Sequence, residues 1–552
     1  MLAFAQRLQA GLFWAEASFR FFSREVFMAR HFLRKISPLT LGALSFIAAS
    51  AQSAPLPTSV QGAEIRTPLA PTTPRINGPS IFGVTTGADF LYAIPATGQR
   101  PMSYAVTGLP AGLSVNESTG IITGKVKTKG EYKITFKVKN ALGSAEKAFR
   151  IVVGDKIALT PPMGWNSWNC WAQAVSQDKV LRSAKALVSS GLASHGWMYV
   201  NIDDTWQGRR DPKTLALQAN DRFPDMKKLC ADIHGLGLKT GIYSSPWITT
   251  YAGFNGGSSE EANGSWVAFK EYKDYQPYQR FGKYAFTKQD ANQWAQWGFD
   301  YLKYDWYPND IPHTKEMSEA LRATGRDIVF SLSNAAPIEH AEAFGKLANS
   351  WRTTGDMWDT WDEPGPYQHS VSEIGFNQDA WTDHAAPGHF NDPDMLVIGW
   401  VGWGDNLHYT RLSAAEQYSH ITLWSVLASP LLIGCDLERL DPFTFNLLSN
   451  DEVIAVNQDA LGKQGKRVCT QGSIDVYKKE LEDGSCALAF FNRGDVTHVI
   501  DTKLDRLGLG GPRKARDLWR QKDLGEFKGD LKVSVEAHSA ELYRIVSVPA
   551  AK

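Results

Sequence analysis

The stretch Phe299-Asp300-Tyr301-Leu302-Lys303-Tyr304-Asp305-Trp306 has the pattern of a buried strand that ends in charge. Its apolar, β-prone residues are typical of a strand in a parallel sheet. Lys303 and Asp305 are two residues apart, so their side chains leave the same face of the strand. Active sites lie at the carboxyl ends of the strands in barrels of alternating strands and helices. The stretch therefore predicts a catalytic carboxylate at Asp305 and a substrate contact at Lys303, although a structural ion pair would leave the same pattern.

A repeat of strand, loop and helix extends on both sides of this stretch. Helices are predicted over residues 179–190, 224–234 and 414–428, each of which ends close to Gly or Pro. Candidate strands are 163–168, 198–203, 239–244, 299–306, 328–333, 350–354, 389–396 and 431–435. Eight strand–helix repeats in roughly 300 residues predict an α/β fold of the (β/α)8 TIM-barrel type over residues 156–460.

The segments that flank this barrel have the alternating pattern of antiparallel sheets. At residues 132–139, Tyr132, Ile134, Phe136 and Val138 alternate with polar residues, which predicts an Ig-like β-sandwich over residues 76–155. Strands at 473–478, 486–492 and 532–535 predict a second antiparallel β-sandwich over residues 461–552. Neither segment contains a cluster of polar residues typical of a site, so a spacer or packing role is expected for the leading module.

The amino-terminal region has the features of an export signal. A basic run at 29–35 precedes a short apolar run at 39–49, and Ala49-Ser50-Ala51 fits the small-x-small cleavage pattern. We expect residues 1–51 to be a signal peptide region, with Met28 as the alternative start, and residues 52–75 to be a linker rich in Pro, Thr and Ala. A secreted or periplasmic protein follows, and the sequence contains no other candidate membrane span.

Composition limits the partners of the chain. The 58 basic and 58 acidic residues give a formal net charge of +0, which does not favour nucleic acid as a partner. Aromatic residues make up 12% of the chain, with 19 Trp, and their flat faces suit sugar rings, although a large core uses aromatics too. The five cysteines form no CxxC motif, so a structural zinc site is not expected. Cys469 and Cys486 flank one β-rich segment and either pair or remain separate thiols.

Polar clusters follow the predicted barrel strands at their carboxyl ends. They are 164–169, which strand one carries, 201–206 at the end of strand two, 303–305 at the end of strand four, 351–356 at the end of strand six and 389–394 in strand seven. Because these ends meet at one face of a barrel, the acidic clusters are expected to converge there.

One chemistry that such a face supports is glycoside hydrolysis by two carboxylates. A nucleophile must stay ionised, and Lys303 and Arg352 would favour this by lowering its pKa. The acid must hold a proton, so its site should be drier or crowded by negative charge. Asp305 and Asp356 fit these two roles.

The alternative chemistry is a metal site built from the four carboxylates of Asp203, Asp204, Asp392 and Asp394. No His stands beside them at ligand spacing, and loop capping explains Asp392 or Asp394 equally well. We therefore expect neither a metal nor another cofactor in the reaction.

Six ordered motifs resemble glycoside hydrolase family 27, the α-galactosidase family of clan D. They are MGWNSWN, NIDDTW, GIYSS, YLKYDW, WRTTGD and HFNDPDML, within residues 159–458. The tail also fits the family, and the leading module resembles the immunoglobulin-like modules that precede bacterial glycosidases. The resemblance implies a retaining, exo-acting α-galactosidase in which Asp305 is the nucleophile and Asp356 the acid/base. Its substrate would be a carbohydrate with a terminal α-linked galactose.

The resemblance also implies the residues that bind the sugar. Trp165 would lie against the sugar face, and Asp203 and Asp204 would bind the axial 4-hydroxyl and the 6-hydroxyl. Lys303 and Arg352 would hold the hydroxyls at positions 2 and 3. Two acids on neighbouring hydroxyls would distinguish an axial 4-hydroxyl from an equatorial one. The implied substrate-binding set is Trp165, Asp203, Asp204, Tyr243, Lys303, Ser333 and Arg352.

The chain departs from the family pattern at two places. Tyr251 and Tyr307 stand where relatives often have a disulfide beside the nucleophile. Residues 331–336, which include Ser333, are small where α-galactosidases commonly carry Cys-Glu-Trp, and this could leave room for a 2-acetamido group. An α-N-acetylgalactosaminidase is therefore the alternative, with a β-L-arabinopyranosidase less favoured because Asp203-Asp204 is intact. The non-enzymatic alternative is a sugar-binding barrel, against which the presence of both Asp305 and Asp356 argues.

Overall fold

A computed structural model describes residues 57, 60–365 and 368–548 of the chain. The predicted signal peptide, residues 1–51, lies outside the described residues. Within the described ranges, no helix is both long enough and apolar enough to cross a membrane.

The amino-terminal module is a sandwich of two sheets. One sheet has the order β2-β9-β8-β5 and the other β3-β7-β6, and Tyr92, Phe136 and Phe149 pack between them. This confirms the predicted Ig-like architecture. Its strands are β1 (Arg75–Ile76), β2 (Ile81–Thr85), β3 (Asp89–Ala93), β4 (Ala96–Thr97), β5 (Ser103–Thr107), β6 (Leu113–Val115), β7 (Ile121–Lys125), β8 (Gly130–Asn140) and β9 (Gly143–Gly154).

The next strands belong to the barrel and its loops. They are β10 (Met163–Asn166), β11 (Tyr199–Asn201), β12 (Gln207–Arg210), β13 (Leu217–Ala219), β14 (Lys239–Ser244), β15 (Ser258–Ser259), β16 (Tyr284–Ala285), β17 (Tyr301–Asp305), β18 (Val329–Ser333), β19 (Ser350–Arg352), β20 (Phe390–Asp392), β21 (Trp400–Val401), β22 (His408–Tyr409) and β23 (Leu431–Ile433). Eight of them form one parallel sheet in the order β20-β19-β18-β17-β14-β11-β10-β23. Leu396, just after β20, bridges in parallel to Ile433 of β23 and closes the sheet into a barrel. Each of the eight predicted barrel strands is confirmed.

Eleven α-helices lie in the described residues. They are α1 (Trp168–Trp171), α2 (Gln177–Ser189), α3 (Met226–Gly235), α4 (Tyr272–Tyr275), α5 (Thr287–Trp297), α6 (Ile311–Ala323), α7 (Ala341–Leu347), α8 (Val371–Gly375), α9 (Ala414–Val426), α10 (Pro442–Leu448) and α11 (Asp451–Asn457). Ser176 caps α2, Asp225 caps α3, and Ser413 with Glu416 forms a capping box at α9. The three predicted helices are confirmed as α2, α3 and α9.

The carboxyl-terminal segment forms the second antiparallel sandwich. One sheet has the order β24-β25-β26-β31-β28-β29, and β27 pairs with β30. Its strands are β24 (Lys466–Gln471), β25 (Ile474–Glu480), β26 (Cys486–Asn492), β27 (His498–Lys503), β28 (Arg513–Asp517), β29 (Lys522–Phe527), β30 (Asp530–Val535) and β31 (Ala540–Ser547). The sandwich packs on α9, whose residues 417–426 are buried on every side.

The two cysteines that could have paired are held apart by the sheet. All five thiols are free. Cys469 stands opposite Val476, whereas Cys486 stands opposite Glu480 on the other side of β25. A whole strand therefore separates them, about 9–10 Å across the sheet, which is too far for a disulfide.

The Ig-like module covers the amino-terminal end of the barrel. The backbone N–H of Thr85 donates to Asp327 at 2.8 Å, and the ammonium of Lys239 lies 5.6 Å from the ring centre of Phe82. Asp327, Lys239 and the half-buried Met198 stand at the amino ends of barrel strands or just before them. This packing places the module at the end of the barrel opposite the carboxyl ends of the strands.

The segment between residue 60 and the module also packs on the barrel. Arg66 is buried, its N–H donates to the Tyr418 hydroxyl at 3.0 Å, and its guanidinium donates to the Ala540 carbonyl at 3.0 Å. Thr67 exchanges hydrogen bonds with Asn446 of α10. This part of the predicted linker thus follows the surface of α9, α10 and the second sandwich.

Candidate active site

The sequence-predicted site residues collect at the carboxyl ends of the barrel strands. Asp305 is the last residue of β17, and Arg352 is the last residue of β19. Asp203 and Asp204 follow β11, and Asp356 follows β19. In the sheet, Asp305 pairs with Ser333, and Tyr243 pairs with Lys303. The barrel therefore brings these side chains to one mouth.

Asp305 is held by two hydrogen-bond donors in a buried position. The Tyr243 hydroxyl donates to its Oδ2 at 2.9 Å, and the Asn334 amide donates to its Oδ1. Burial raises the pKa of Asp305 to about 7, the Lys303 charge opposes this rise, and the Asp356 charge adds to it. Lys303 thus lowers the pKa of Asp305, as expected, but burial outweighs its charge and the net shift is upward.

Asp356 occupies a wetter position than Asp305. Its side chain is 45% exposed, and its Oδ1 accepts from the guanidinium of Arg352 at 3.2 Å. Of the two environments expected for the acid, a drier site or one crowded by negative charge, the drier one is not found at Asp356, since the drier carboxylate is Asp305, which is 6% exposed. One carboxylate is thus fixed at the bottom of the site, and the other faces solvent at its edge.

Lys303 interacts with acidic groups from more than one barrel strand. Its ammonium donates to Oδ2 of Asp203 at 2.8 Å and lies 5.5 Å from the ring centre of Tyr243. Burial alone would lower the pKa of Lys303, but the charges of Asp203, Asp305 and Asp356 outweigh it and raise that pKa. Lys303 therefore remains a cation across the working pH range.

Asp204 is buried beside Asp203 and is fixed by the backbone. Its Oδ1 accepts from the N–H of Thr205 at 2.6 Å, and its Oδ2 accepts from the N–H of Ala252 at 3.0 Å. Burial is the main cause that raises the pKa of Asp204 to about 6. Thr205 has φ +86, so the chain turns sharply here and Asp204 is no longer part of the strand.

Arg352 is paired on its other side with Asp394. Its Nη1 lies 2.9 Å from Oδ1 of Asp394, whose Oδ2 accepts from the N–H of Met357 at 2.7 Å. Burial raises the pKa of Asp394 to about 6, and the Arg352 charge opposes this. Asp394 thereby holds Arg352 in position beneath Asp356.

The carboxylates considered for a metal site each have another partner. Asp203 is paired with Lys303, Asp394 with Arg352, and Oδ1 of Asp392 accepts from the N–H of Asp394 at 2.9 Å. No group of three or more His, Cys, Asp or Glu in the described ranges could hold a metal ion. The carboxylate oxygens that a metal ion would need are thus already engaged by side-chain cations and backbone N–H groups.

Trp165 does not lie where the sugar was expected. It is 0% exposed, and its Nε1 donates to the Cys435 carbonyl at 2.8 Å, so it belongs to the packed core of the barrel. Its position within β10 explains this burial. Trp168, three residues later and past the end of β10, is half-buried at the start of α1. Trp168 is therefore the better candidate for the residue that lies against the sugar face. Its position beyond the end of the strand was the sequence feature that could have indicated this.

The loop after β18 contributes Ser333 and a residue that the sequence analysis did not single out. The Ser333 hydroxyl is buried with no hydrogen-bond partner among the described residues, and with Lys303 and Arg352 it lines a small cavity. Asn334 has φ +63, a conformation that Asn tolerates better than most residues, and its amide reaches Asp305. The loop after β18 thus places an amide side chain directly against Asp305.

Each of the three segments of the chain matches a known protein family. Residues 160–459 match the family model "Alpha galactosidase A", and residues 471–545 match "Alpha galactosidase C-terminal beta sandwich domain". Residues 53–154 match "Putative Ig domain".

Similar proteins come from plants and bacteria. Alpha-galactosidase 2 of Arabidopsis thaliana is 37% identical over 72% of this chain and 92% of its own length. An alpha-galactosidase of Oryza sativa subsp. japonica is 34% identical over 74% of this chain and 90% of its own length. A crystal structure of a "putative alpha-galactosidase" from Bacteroides fragilis NCTC 9343 has a TM-score of 0.78 and 32% identity, over 87% of this chain and 99% of that one.

Proposed function

The chain belongs to the alpha-galactosidase A family, and from this premise we propose that Asp305 and Asp356 release terminal α-linked galactose from oligo- or polysaccharides with retention of configuration. The chain is a glycoside hydrolase with α-galactosidase activity. The observation that carries the proposed mechanism is the contrast between the two carboxylates. Asp305 is buried and held by Tyr243 and Asn334, whereas Asp356 is half-exposed beside Arg352.

In the first step, an oxygen of ionised Asp305 attacks the anomeric carbon of galactose. The bond between that carbon and the glycosidic oxygen breaks, and protonated Asp356 gives its proton to the leaving oxygen. Asp305 is then joined covalently to the sugar. The hydrogen bonds from Tyr243 and Asn334 fix the direction from which the Asp305 carboxylate approaches.

In the second step, water replaces Asp305 on the anomeric carbon. Asp356, now ionised, takes a proton from the water while the bond between the sugar and Asp305 breaks. Both aspartates return to their starting states, and two displacements give net retention. The exposure of Asp356 provides the path by which the leaving group departs and water enters.

Sugar recognition is assigned to the groups around these two carboxylates. Asp203 and Asp204 accept hydrogen bonds from the 4- and 6-hydroxyls, and Lys303 and Arg352 donate to hydroxyls 2 and 3. Trp168 replaces Trp165 as the platform for the sugar face. Lys303 and Arg352 are already fixed by Asp203 and Asp394, so they need little reorganisation when substrate binds.

The mechanism is tested with the variants Asp305→Ala and Asp356→Ala on an aryl α-galactoside. Asp305→Ala is expected to abolish turnover, and added azide is expected to restore some activity with an inverted galactosyl azide as product. Azide with Asp356→Ala is expected to give the azide with retained configuration. If Asp305→Ala kept activity close to wild type, the assignment of the nucleophile would be wrong.

Substrate choice within the family is tested by rates on aryl α-galactoside, α-N-acetylgalactosaminide and β-L-arabinopyranoside. We expect the galactoside to be preferred, because Asn334 lies against Asp305 and occupies space beside the sugar ring. A higher kcat/KM on the acetamido substrate would favour the α-N-acetylgalactosaminidase alternative instead.

Export to the periplasm or the medium completes the proposal. The basic run at 29–35, the apolar run at 39–49 and Ala49-Ser50-Ala51 support it. Amino-terminal sequencing of the protein from each cell fraction is the test, with an expected start just after Ala51. Uncleaved protein confined to the cytoplasm would contradict export.

A further inference from the structure

A long excursion of the chain borders the proposed active site. Residues 245–286 connect β14 to α5 and contain only short pieces of regular structure. Loops longer than about 12–15 residues within a compact domain are usually functional. This one leaves the carboxyl end of β14, one residue after Ser244 and close to Tyr243, which contacts Asp305.

Three tyrosines from this excursion and from the end of β17 form what we call the aromatic rim: Tyr251, Tyr272 and Tyr307. Tyr307 follows Asp305 by two residues and is 61% exposed, and Tyr272 is 55% exposed. Tyr251 is half-buried, with its ring 5.2 Å from that of Trp247. Large aromatic side chains exposed in one group mark an interaction surface more often than chance placement does.

Tyr251 joins the rim to the catalytic carboxylates. Burial raises the pKa of Tyr251, and the charges of Asp305 and Asp356 raise it further, as do the neighbouring hydroxyls of Tyr272 and Tyr307. The backbone N–H of Ala252, the next residue, donates to Asp204 at 3.0 Å. The rim is thus continuous with the sugar pocket.

The excursion is held by contacts within itself and to the barrel, so the rings are presented in a set arrangement. Tyr272 packs edge-on against Tyr275 at 5.4 Å between ring centres. Phe281 stacks on His313 of α6 at 3.7 Å. The Gln279 amide donates to the Tyr251 carbonyl at 3.4 Å. Rings held in this way need lose little freedom when a ligand binds.

The chemistry of the rim suits an uncharged, flat ligand with many hydroxyls. Tyrosine combines an apolar face with a polar edge. The charged groups closest to Tyr272 in sequence, Glu271 and Lys273, pair with each other at 2.7 Å. Asp356, which protonates the leaving oxygen, is the wetter of the two carboxylates and is one of the charges that reach Tyr251. The rim therefore lies where the leaving group must pass.

We propose that Tyr251, Tyr272 and Tyr307 form a leaving-group subsite that stacks against the sugar unit to which the terminal galactose is attached. The preferred substrates are then α-galactosides whose leaving group is itself a saccharide. This inference rests on the proposed function, because it assumes that Asp305 and Asp356 act on a terminal galactose.

The experiment compares two substrates that differ only in the leaving group. α-Galactosyl fluoride releases fluoride, which is too small to reach the rim, whereas a galactosyl oligosaccharide releases a sugar. The variants are Tyr307→Ala and Tyr272→Ala, each with the matched variant to Phe, which keeps the ring. Tyr251 is left unchanged because it lies beside both carboxylates. Thermal unfolding of every variant shows whether the fold is kept.

We expect each Ala variant to lower kcat/KM on the oligosaccharide by roughly 3- to 10-fold, the effect of one lost aromatic contact. Hydrolysis of the fluoride should stay within about twofold of wild type, and the Phe variants should retain most of the activity on the oligosaccharide. Equal losses on both substrates, or no loss on the oligosaccharide, would overturn the subsite alone. A wild-type protein that hydrolyses neither substrate would overturn the proposed function as well.

Discussion

The hydroxyl of Tyr243 and Oδ2 of Asp305 are joined by a hydrogen bond of 2.9 Å that lies wholly within the barrel mouth. The two residues stand on neighbouring strands, β14 and β17, and both are buried. This bond favours the ionised carboxylate, while burial disfavours it, and burial raises the pKa of Asp305 to about 7. The pKa of Asp305 is therefore set by two opposing effects, burial and hydrogen bonding, and a single substitution can change it.

The first prediction concerns the acid side of the pH profile. Asp305 must be ionised to attack, so the acid limb of the kcat/KM profile on an aryl α-galactoside should lie near pH 7. The measurement is kcat/KM from pH 4 to 9 at constant ionic strength. An acid limb that lies near pH 4 would show that Asp305 is ionised far more easily than its burial implies.

The second prediction removes the hydrogen bond. In Tyr243→Phe, Asp305 loses a donor that stabilises its charge, so its pKa should rise further, by about one unit for ~1.4 kcal/mol. The acid limb should move to higher pH, and the loss of kcat/KM should be larger at pH 6 than at pH 8. A uniform loss at every pH would show that Tyr243 acts through sugar binding alone.

A matched control for this variant is Tyr301→Phe. Tyr301 is a buried tyrosine of the same barrel, but it stands at the amino end of β17, away from Asp305. The acid limb of Tyr301→Phe should coincide with that of the wild type.

The third prediction concerns stability. Because the folded-state pKa of Asp305 is raised, the protein binds this proton more tightly when folded, and ionising Asp305 costs stability as pH rises from about 4 to 7. Asp305→Asn removes that cost. Its melting temperature relative to wild type should therefore be higher at pH 8 than at pH 5, by the equivalent of ~1–3 kcal/mol. Thermal unfolding at the two pH values measures this, and equal differences at both would contradict it.

Much of the fold follows from local patterns in the sequence. The eight barrel strands could be predicted because short, largely apolar runs alternate with helical segments, and five of the eight carry a polar cluster. The helices α2, α3 and α9 could be predicted from their periodicity and their ends. The convergence of Asp203, Lys303, Asp305 and Arg352 also followed, since carboxyl ends of parallel strands must meet.

The environment of each residue could not be predicted in the same way. Sequence spacing shows that Lys303 is near Asp305, but only the packed structure shows that burial outweighs its charge. Trp165 and Trp168 are both tryptophans of one motif, and the point where β10 ends decides which one is buried in the core. Asn334 reaches Asp305 through a left-handed backbone conformation that the sequence does not specify.

The fourth prediction tests the pair of Lys303 and Asp203. Lys303→Met keeps the apolar stem but leaves the buried Asp203 without its cation at 2.8 Å. Breaking one partner of a buried ion pair typically costs about 3–5 kcal/mol. We expect a lower melting temperature at pH 7 and a loss of kcat/KM of at least about 100-fold, since Lys303 also faces the substrate.

The alternative to this interpretation is that Lys303 only fills space. In that case Lys303→Met would melt close to wild type at pH 7 and lose little activity. The comparison variant is Lys315→Met on α6, where Lys315 is 61% exposed and its pair with Glu319 is at the surface. Surface pairs of this kind contribute about 0–1 kcal/mol, so this variant should be nearly neutral in both measurements.

The fifth prediction concerns the Ig-like module, which covers the amino-terminal end of the barrel. Phe82 packs against Phe90 at 5.4 Å and Tyr92 at 5.1 Å inside the module, and Lys239 of β14 lies over its ring. Phe82→Ala should therefore lower the free energy of unfolding by ~2–4 kcal/mol. The kcat of the folded protein should be unchanged, because the carboxyl ends of the strands are at the other end of the barrel. If the module were only a spacer, the same variant would unfold the module in a separate, earlier transition while the barrel melted as in wild type. A calorimetric scan distinguishes the two, and we expect a single transition at lower temperature.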